Sequence, residues 1–311
     1  MTALAGVGGH LPELSVTIED LAGYLELAPR QVQVFRRFHG LAAVPRRAPG
    51  ETLTDLLVGA GSAVKELAGN EHRVRYVLHA RGLPVVTPYP ANLVRDVARR
   101  LGLERATSFA ITHHACATNL LAIDAAGRLL AEDGDPDALA LIVAGDAIWT
   151  KEAEYVAEIS VFGEGAGACL VAADGPRDRV LSYVTRCRGE YDGRIMDDPV
   201  LLARFQREYP EALADVVVAA VERAGLTLAD ISLILPHNVN TVSWRRLARR
   251  IGYPVERILL DNVPITGHSS TADAFLNYAT AAERDLLEPG RPYLIAAAGL
   301  GATFSAMVLS H

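Results

Sequence analysis

The sequence lacks the features that would mark a membrane, secreted or nucleic-acid-binding protein. It has no run of about 18 uninterrupted apolar residues, so no segment is expected to span a bilayer as a helix. Half of its 311 residues are nevertheless hydrophobic, enough for a large core. The opening Met1-Thr2-Ala3-Leu4-Ala5 has neither the basic start nor the long apolar stretch of a secretory signal. Three cysteines, an odd number in so long a chain, make no disulfide framework. Cys116, Cys169 and Cys187 are therefore expected as thiols in a reducing, cytoplasmic setting. A net charge of -7 argues against non-specific binding to nucleic acid. No low-complexity linker divides the chain. These absences remove classes of function without naming one.

What is present is an internal echo. His114-Ala115-Cys116-Ala117-Thr118 runs into a helical pattern ending at Leu129-Leu130, then an Asp/Gly/Pro turn and the strand pattern Ala140 to Gly145. Gly267-His268-Ser269-Ser270-Thr271 runs into a second helical pattern ending at Asp285-Leu286, then Pro289-Gly290 and the strand pattern Tyr293 to Gly299. The copies are offset by about half the chain, a duplication rather than a solenoid period. The reading is an α/β protein of two halves, 1–172 with the cysteine and 173–311 with the histidines, packed face to face around buried helices. Other helices are expected over 18–27, 29–38, 52–67 with Thr52 or Thr54 as cap, 92–101, 210–224 closed by Gly225, and 241–250. Strands are expected over 74–79 and 233–235.

Cys116 follows the short apolar run Ser108-Phe109-Ala110-Ile111 and opens an Ala/Leu-rich helical pattern. A thiol on the first turn of a buried helix feels the positive end of the helix dipole, which favours the thiolate. Cys116 is then either a nucleophile or a small buried apolar residue. His237 stands where the Leu233–Leu235 strand stops, at a strand end where α/β folds place reactive groups, and is either a base or a turn cap. His268 lies near the echo mate of Cys116 and either joins it or caps its own helix among serines. Gly163-Glu164-Gly165-Ala166-Gly167 precedes a strand pattern rather than a helix, which rejects a dinucleotide loop. The Gly301-Ala302 turn with the amide of Cys116 offers an oxyanion hole. Trp244-Arg245-Arg246-Leu247-Ala248-Arg249-Arg250 is either a solvated helix face or a docking surface for an anionic partner. His113-His114 points to no metal, since neighbours in a strand face opposite ways.

Several of these segments together resemble the ketoacyl-acyl-carrier-protein synthase III family of the thiolase fold. Ala115-Cys116 before an Ala-rich helix is similar to its nucleophile segment, and Val161-Phe162-Gly163-Glu164-Gly165-Ala166-Gly167-Ala168 to its Phe-Gly-Asp-Gly-Ala-Gly-Ala turn. Pro236-His237-Asn238-Val239-Asn240 resembles its Pro-His-Gln-Ala-Asn motif, Gly267-His268-Ser269-Ser270 its Gly-Asn-Thr-Ser motif, and Gly299-Leu300-Gly301-Ala302 its oxyanion turn. Phe38-His39-Gly40-Leu41 with Arg46-Arg47 resembles its N-terminal arginine/glycine segment. The similarity runs in order over nearly the whole chain.

The resemblance implies a thiolase-like fold of two pseudo-symmetric halves in αβαβα layers, and a homodimer. It implies an acyltransferase of polyketide or fatty-acid biosynthesis that takes an acyl group from coenzyme A or an acyl carrier protein onto Cys116. The acyl group then passes to a malonyl thioester in a decarboxylative Claisen condensation. No resident cofactor is implied, because the coenzyme A or phosphopantetheine thioester is the substrate. By resemblance Cys116, His237 and His268 are catalytic, Cys116, Gly301 and Ala302 form the oxyanion hole, and Trp244, Arg245, Arg249 and Asn240 meet substrate or carrier protein. One departure matters: the family's trio is Cys-His-Asn, and His268 stands at the asparagine position. A histidine there either still holds the enolate or marks a member that only transfers acyl groups to a hydroxyl or amine. A non-catalytic thiolase-fold partner subunit is the reading from another class. The loops Gly82 to Pro90 and Gly189 to Pro199 are expected to shape the pocket.

Overall fold

The strand Leu139–Ala144 is buried at every position, so both of its faces must be covered. Alternation sends Ala140, Ile142 and Ala144 into one core and Leu139, Leu141 and Val143 into another. Pro292–Gly299 does the same in the second half: Tyr293, Ile295 and Ala297 share the first core, while Leu294, Ala296 and Ala298 enter a third. Two sheets therefore face each other across one shared interior, each with a further layer outside it. The computed structural model describes the chain except residues 84–89, 149, 157–158, 192–194 and 196–197, so the two loops expected to shape the pocket lie partly outside the described residues.

The strands are β1 (Ala3–His10), β2 (Leu14–Thr17), β3 (Ala43–Arg46), β4 (Val74–Ala80), β5 (Thr107–Ile111), β6 (Leu139–Ala144), β7 (Tyr155–Val156), β8 (Ser160–Val161), β9 (Ala166–Ala172), β10 (Arg179–Cys187), β11 (Ile234–Pro236), β12 (Pro292–Gly299) and β13 (Thr303–Ser310). The helices are α1 (Ile18–Leu21), α2 (Pro29–Val34), α3 (Leu53–Ser62), α4 (Leu93–Arg100), α5 (Thr118–Asp133), α6 (Lys151–Glu154), α7 (Pro199–Arg223), α8 (Thr241–Ile251), α9 (Val263–Thr266) and α10 (Asp273–Glu283).

One sheet order runs β11-β12-β13-β10-β1-β9-β6-β4-β5. The series β4-β6-β9-β1 and β11-β12-β13-β10 have the same pairing sense: parallel, then antiparallel twice. A parallel bridge from Ile234 to Ile258 stands where β5 stands beside β4. The two series meet in the ladder pair Ala3↔Arg179. Residues of α5 (Leu120, Ile123, Ala126) and α10 (Ala274, Phe275, Ala281) fill the shared interior. Helices α3 and α4 cover one sheet, and α7 and α8 cover the other. This is the αβαβα layering of the thiolase fold.

Local signals explain most helix starts. Thr52 caps α3, with Asp55 completing the capping box, and Asn92 caps α4. The helix expected from Pro210 instead begins at Pro199, where Asp198 accepts from the amides of Val200 and Leu201. Proline is compatible with that first position. Pro210 lies within α7, where its missing N–H leaves the Gln206 carbonyl without the usual partner four residues on. The stretch expected as one helix over 29–38 is α2 followed by a π-helical turn, Phe35–His39, that ends at Gly40 in the left-handed region (φ 77°).

Candidate active site

Cys116 sits in a 3-10 turn, Ala115–Ala117, at the start of α5. The chain enters it through His113 (φ 76°) and Ala115 (φ 45°), left-handed conformations that non-glycine residues rarely adopt. The Thr118 hydroxyl donates to the Ala115 carbonyl at 2.7 Å and closes the turn. The echo copy has the same shape: Ser270 (φ 53°) opens the 3-10 turn Ser270–Ala272 before α10. Turn for turn, the mate of Cys116 is thus Thr271, whose hydroxyl is buried and donates to the Ala80 carbonyl at 2.9 Å. His268 stands three residues earlier.

His268 is pinned by backbone and by ring. Its amide donates to the Val161 carbonyl at 3.2 Å, and its carbonyl accepts from the Gly163 amide at 3.0 Å. The Phe162 ring lies 4.7 Å away, centroid to centroid. Its Nδ1 is paired with Oδ2 of Asp273, a residue 1 % exposed on the first turn of α10. Asp273 also accepts from the amides of Ser269 (2.7 Å) and Asn238 (2.6 Å). Burial alone would depress the His268 ring. The negative charges of Cys116 and Asp273 outweigh it and lift the ring to about 10.

His237 follows β11, and its ring is 5.6 Å from that of His268. Burial, then the charge on His268, pushes it down to about 3. Its Nε2 is 3.0 Å from the hydroxyl of Tyr209 on α7. Its carbonyl accepts from the Trp244 indole N–H at 2.8 Å. The rings of His237 and His268 meet Cys116 in one cavity of about 210 Å³, whose wall includes Phe162, Phe205, Tyr209, Asn240, Arg246 and Leu300. Burial and neighbouring charge thus push two adjacent histidines in opposite directions beside one buried sulfur.

Two expectations require correction. Trp244 is no docking residue: it is fully buried in the core under α8, because its indole N–H is committed to His237. Arg245 and Arg249 are exposed on the opposite side of that helix. The Ala302 amide is no oxyanion donor either, since it donates to the Arg188 carbonyl at 3.2 Å, and Leu300 rather than Gly301 or Ala302 reaches the cavity wall. Asn240 lines the cavity, but its side chain is used in capping α8 through the Ser243 amide (2.8 Å) and in donating to the Ile159 carbonyl (2.9 Å). Arg46 and Arg47 are held in ion pairs with Glu154 and Glu164 and tie β3 to the glycine-rich turn. Among the described residues no cluster of three or more His, Cys, Asp or Glu side chains is placed to hold a metal.

The sequence reading missed Asp273 and Tyr209. A signal existed for the first: a carboxylate inside the apolar stretch Thr271-Ala272-Asp273-Ala274-Phe275, at a buried helix start, needs a partner. Tyr209 gave no signal beyond an aromatic on a helix face.

A five-layered thiolase fold with a cysteine and two histidines in a buried cleft defines the class of protein. Residues 221–311 match the family model described as 3-Oxoacyl-[acyl-carrier-protein (ACP)] synthase III C terminal. A beta-ketoacyl-[acyl-carrier-protein] synthase III of Oleidesulfovibrio alaskensis is 25 % identical over 339 residues, covering 98 % of both chains. Among solved structures, the beta-ketoacyl-[acyl carrier protein] synthase III of Thermus thermophilus superposes with a TM-score of 0.83 at 22 % identity, over 99 % of both chains. The acyltransferase ChlB3 superposes with a TM-score of 0.86 at 19 % identity, over 99 % of this chain and 97 % of that one. Over nearly its whole length the chain is similar to beta-ketoacyl-[acyl-carrier-protein] synthases III, and residues 221–311 match the C-terminal region of that family.

Proposed function

We propose that this protein is an acyltransferase that loads an acyl group from a thioester onto Cys116 and condenses it with a malonyl thioester. The observation that carries the reading is the meeting of Cys116, His237 and His268 in one buried cavity, with the Asp273 carboxylate behind His268. The relatives' names, beta-ketoacyl-[acyl-carrier-protein] synthase III, support the condensation.

In the first half-reaction the Cys116 thiolate attacks the thioester carbonyl, with the His268 imidazolium as its counter-ion. The tetrahedral oxyanion is received by the Cys116 amide and the turn at Leu300. The donor C–S bond breaks, and the departing thiolate takes the His268 proton, leaving acyl-Cys116 and a neutral imidazole. In the second half-reaction the malonyl carboxylate leaves as carbon dioxide. The enolate oxygen is held by the N–H of the neutral His237 ring, because the remaining N–H of neutral His268 is given to Asp273. The enolate carbon attacks the acyl carbonyl and expels the Cys116 thiolate, and His268 regains a proton from solvent.

The donor thiol is coenzyme A or a carrier protein's phosphopantetheine, the carrier docking on the exposed Arg245 and Arg249. On the family resemblance the chain works as a homodimer, with half boundaries at 1–172 and 173–311.

One observation favours a second reading. The His268–Asp273 pair is a general-base arrangement: once acylation has removed its proton, His268 backed by a carboxylate can deprotonate a hydroxyl or amine acceptor. One experiment separates them. Acyl-CoA and acyl-carrier donors are incubated with the protein, the Cys116 adduct is weighed, and the acyl-enzyme is offered malonyl thioester or an alcohol or amine. Carbon dioxide release with a β-ketoacyl product supports condensation, and an ester or amide alone supports the second acceptor class. No added mass on Cys116 with any donor defeats both and favours a non-catalytic partner subunit.

A further inference from the structure

We propose that Tyr209 is a positioning residue for the second half-reaction, holding His237 in one tautomer and one orientation beside the acyl-cysteine. This rests on the acyl-Cys116 chemistry above. Tyr209 lies in the middle of α7, and its ring shares the cavity wall with Cys116 and both histidines. The phenol is braced: Phe205 and Phe304 meet it edge-on at centroid distances of 5.6 and 5.7 Å. On its other side the His237 ring meets Trp244 edge-on at 5.4 Å.

Within this apolar cage, His237 has one hydrogen-bonded ring nitrogen among the described residues: Nε2, 3.0 Å from the Tyr209 hydroxyl, while the buried Nδ1 has no partner. Burial keeps the phenol protonated by pushing it well above the ordinary tyrosine range, with the Cys116 charge adding to the effect. The imidazole is neutral, so the pair holds one ring proton and one phenolic proton. Among the described residues the Tyr209 hydroxyl has no acceptor other than Nε2, so the ring proton sits on Nδ1. Tyr209 therefore donates to Nε2. An imidazole ring fixed in this way keeps its nitrogens aimed when the acceptor enters, and misaim of a reacting group is costly. The first half-reaction uses Cys116, His268 and Asp273 and does not require this contact.

The test is Tyr209→Phe, which keeps the ring and removes the hydroxyl. Two rates are read separately on wild type and variant: acylation of Cys116 from acyl-CoA in a single turnover, and decay of the isolated acyl-enzyme on adding malonyl thioester. The expected result is acylation within about twofold and transfer slowed by about tenfold or more. In ¹⁵N spectra of histidine-labelled protein, with His237 assigned through His237→Gln, one tautomer in wild type becomes a mixture in the variant. Unchanged transfer, equal slowing of both steps, or an unaltered tautomer would each overturn the proposal. If wild-type Cys116 accepts no acyl group, the functional reading fails, and the tautomer measurement still decides whether Tyr209 sets the state of His237.

Discussion

Asp273 anchors the polar side of the cleft. It takes two backbone amides and a ring N–H, so it is a carboxylate with three donors and almost no water. Asp273→Asn removes the charge and turns an NH₂ group toward one of those donors. At pH 7, acylation of Cys116 and its alkylation by iodoacetamide are expected to slow by about 100-fold. The unfolding free energy is expected to drop by about 1–3 kcal/mol for the unmatched donors. An unchanged alkylation rate would show that the carboxylate does not act on the sulfur through His268. The two histidines also give opposite pH signatures. His237 falls from 6.5 when free to about 3 in the fold, so the unfolded chain binds a proton that the native one refuses. Its contribution to stability is complete above pH 6.5 and is lost as pH falls toward 3. His268 is raised from 6.5 to about 10, so its contribution is complete below 6.5 and is lost as pH rises through 10. Urea midpoints between pH 7 and pH 4 are expected to fall less steeply in His237→Gln than in wild type.

At the level of elements, the end of β12 presses on the turn that carries the nucleophile. A Cβ added at Gly299 would stand 2.1 Å from the His114 carbonyl oxygen, which is backbone and cannot swing aside. Gly299→Ala is therefore expected to cost about 1–3 kcal/mol in stability and to slow Cys116 acylation with it. Loss of stability at full acylation rate would show that the turn tolerates the shift. The elements themselves were largely legible in the sequence. Periodicity and caps placed α3, α4 and α8 to within a residue or so at their starts, because Thr52, Asn92 and Asn240 each cap through their own side chains. The start of α7 was not legible: Pro210 reads as a beginning, while the true signal, Asp198-Pro199, sits eleven residues earlier. Trp244 was misread because its neighbours in sequence are arginines, whereas on a helix its neighbours in space are Leu247 and Ala248, both buried. The Asp273 and Tyr209 contacts are tertiary, made across elements whose approach no local pattern encodes.

For the whole molecule, the layering follows from the echo, because two sheets apolar on both faces are buried by one shared helix layer between them and a further helix layer outside each. The family resemblance was readable from motif order, and the pairing sense of the two strand series repeats the same duplication. The surface makes one prediction at this scale. Arg245→Glu combined with Arg249→Glu is expected to raise KM for a carrier-protein-borne donor by about tenfold and to leave the coenzyme A donor within about twofold, measured by initial rates. Equal effects on both donors would remove these arginines from carrier recognition. The duplicated turn carries a last consequence. One copy bears a sulfur open to a cavity; the twin bears Thr271, whose oxygen is locked onto Ala80 and sealed from solvent. On the proposed chemistry, a molecule built from two like parts has a single reaction centre per chain, with the attacking atom from one part and the proton handlers from the other, so neither part would suffice by itself.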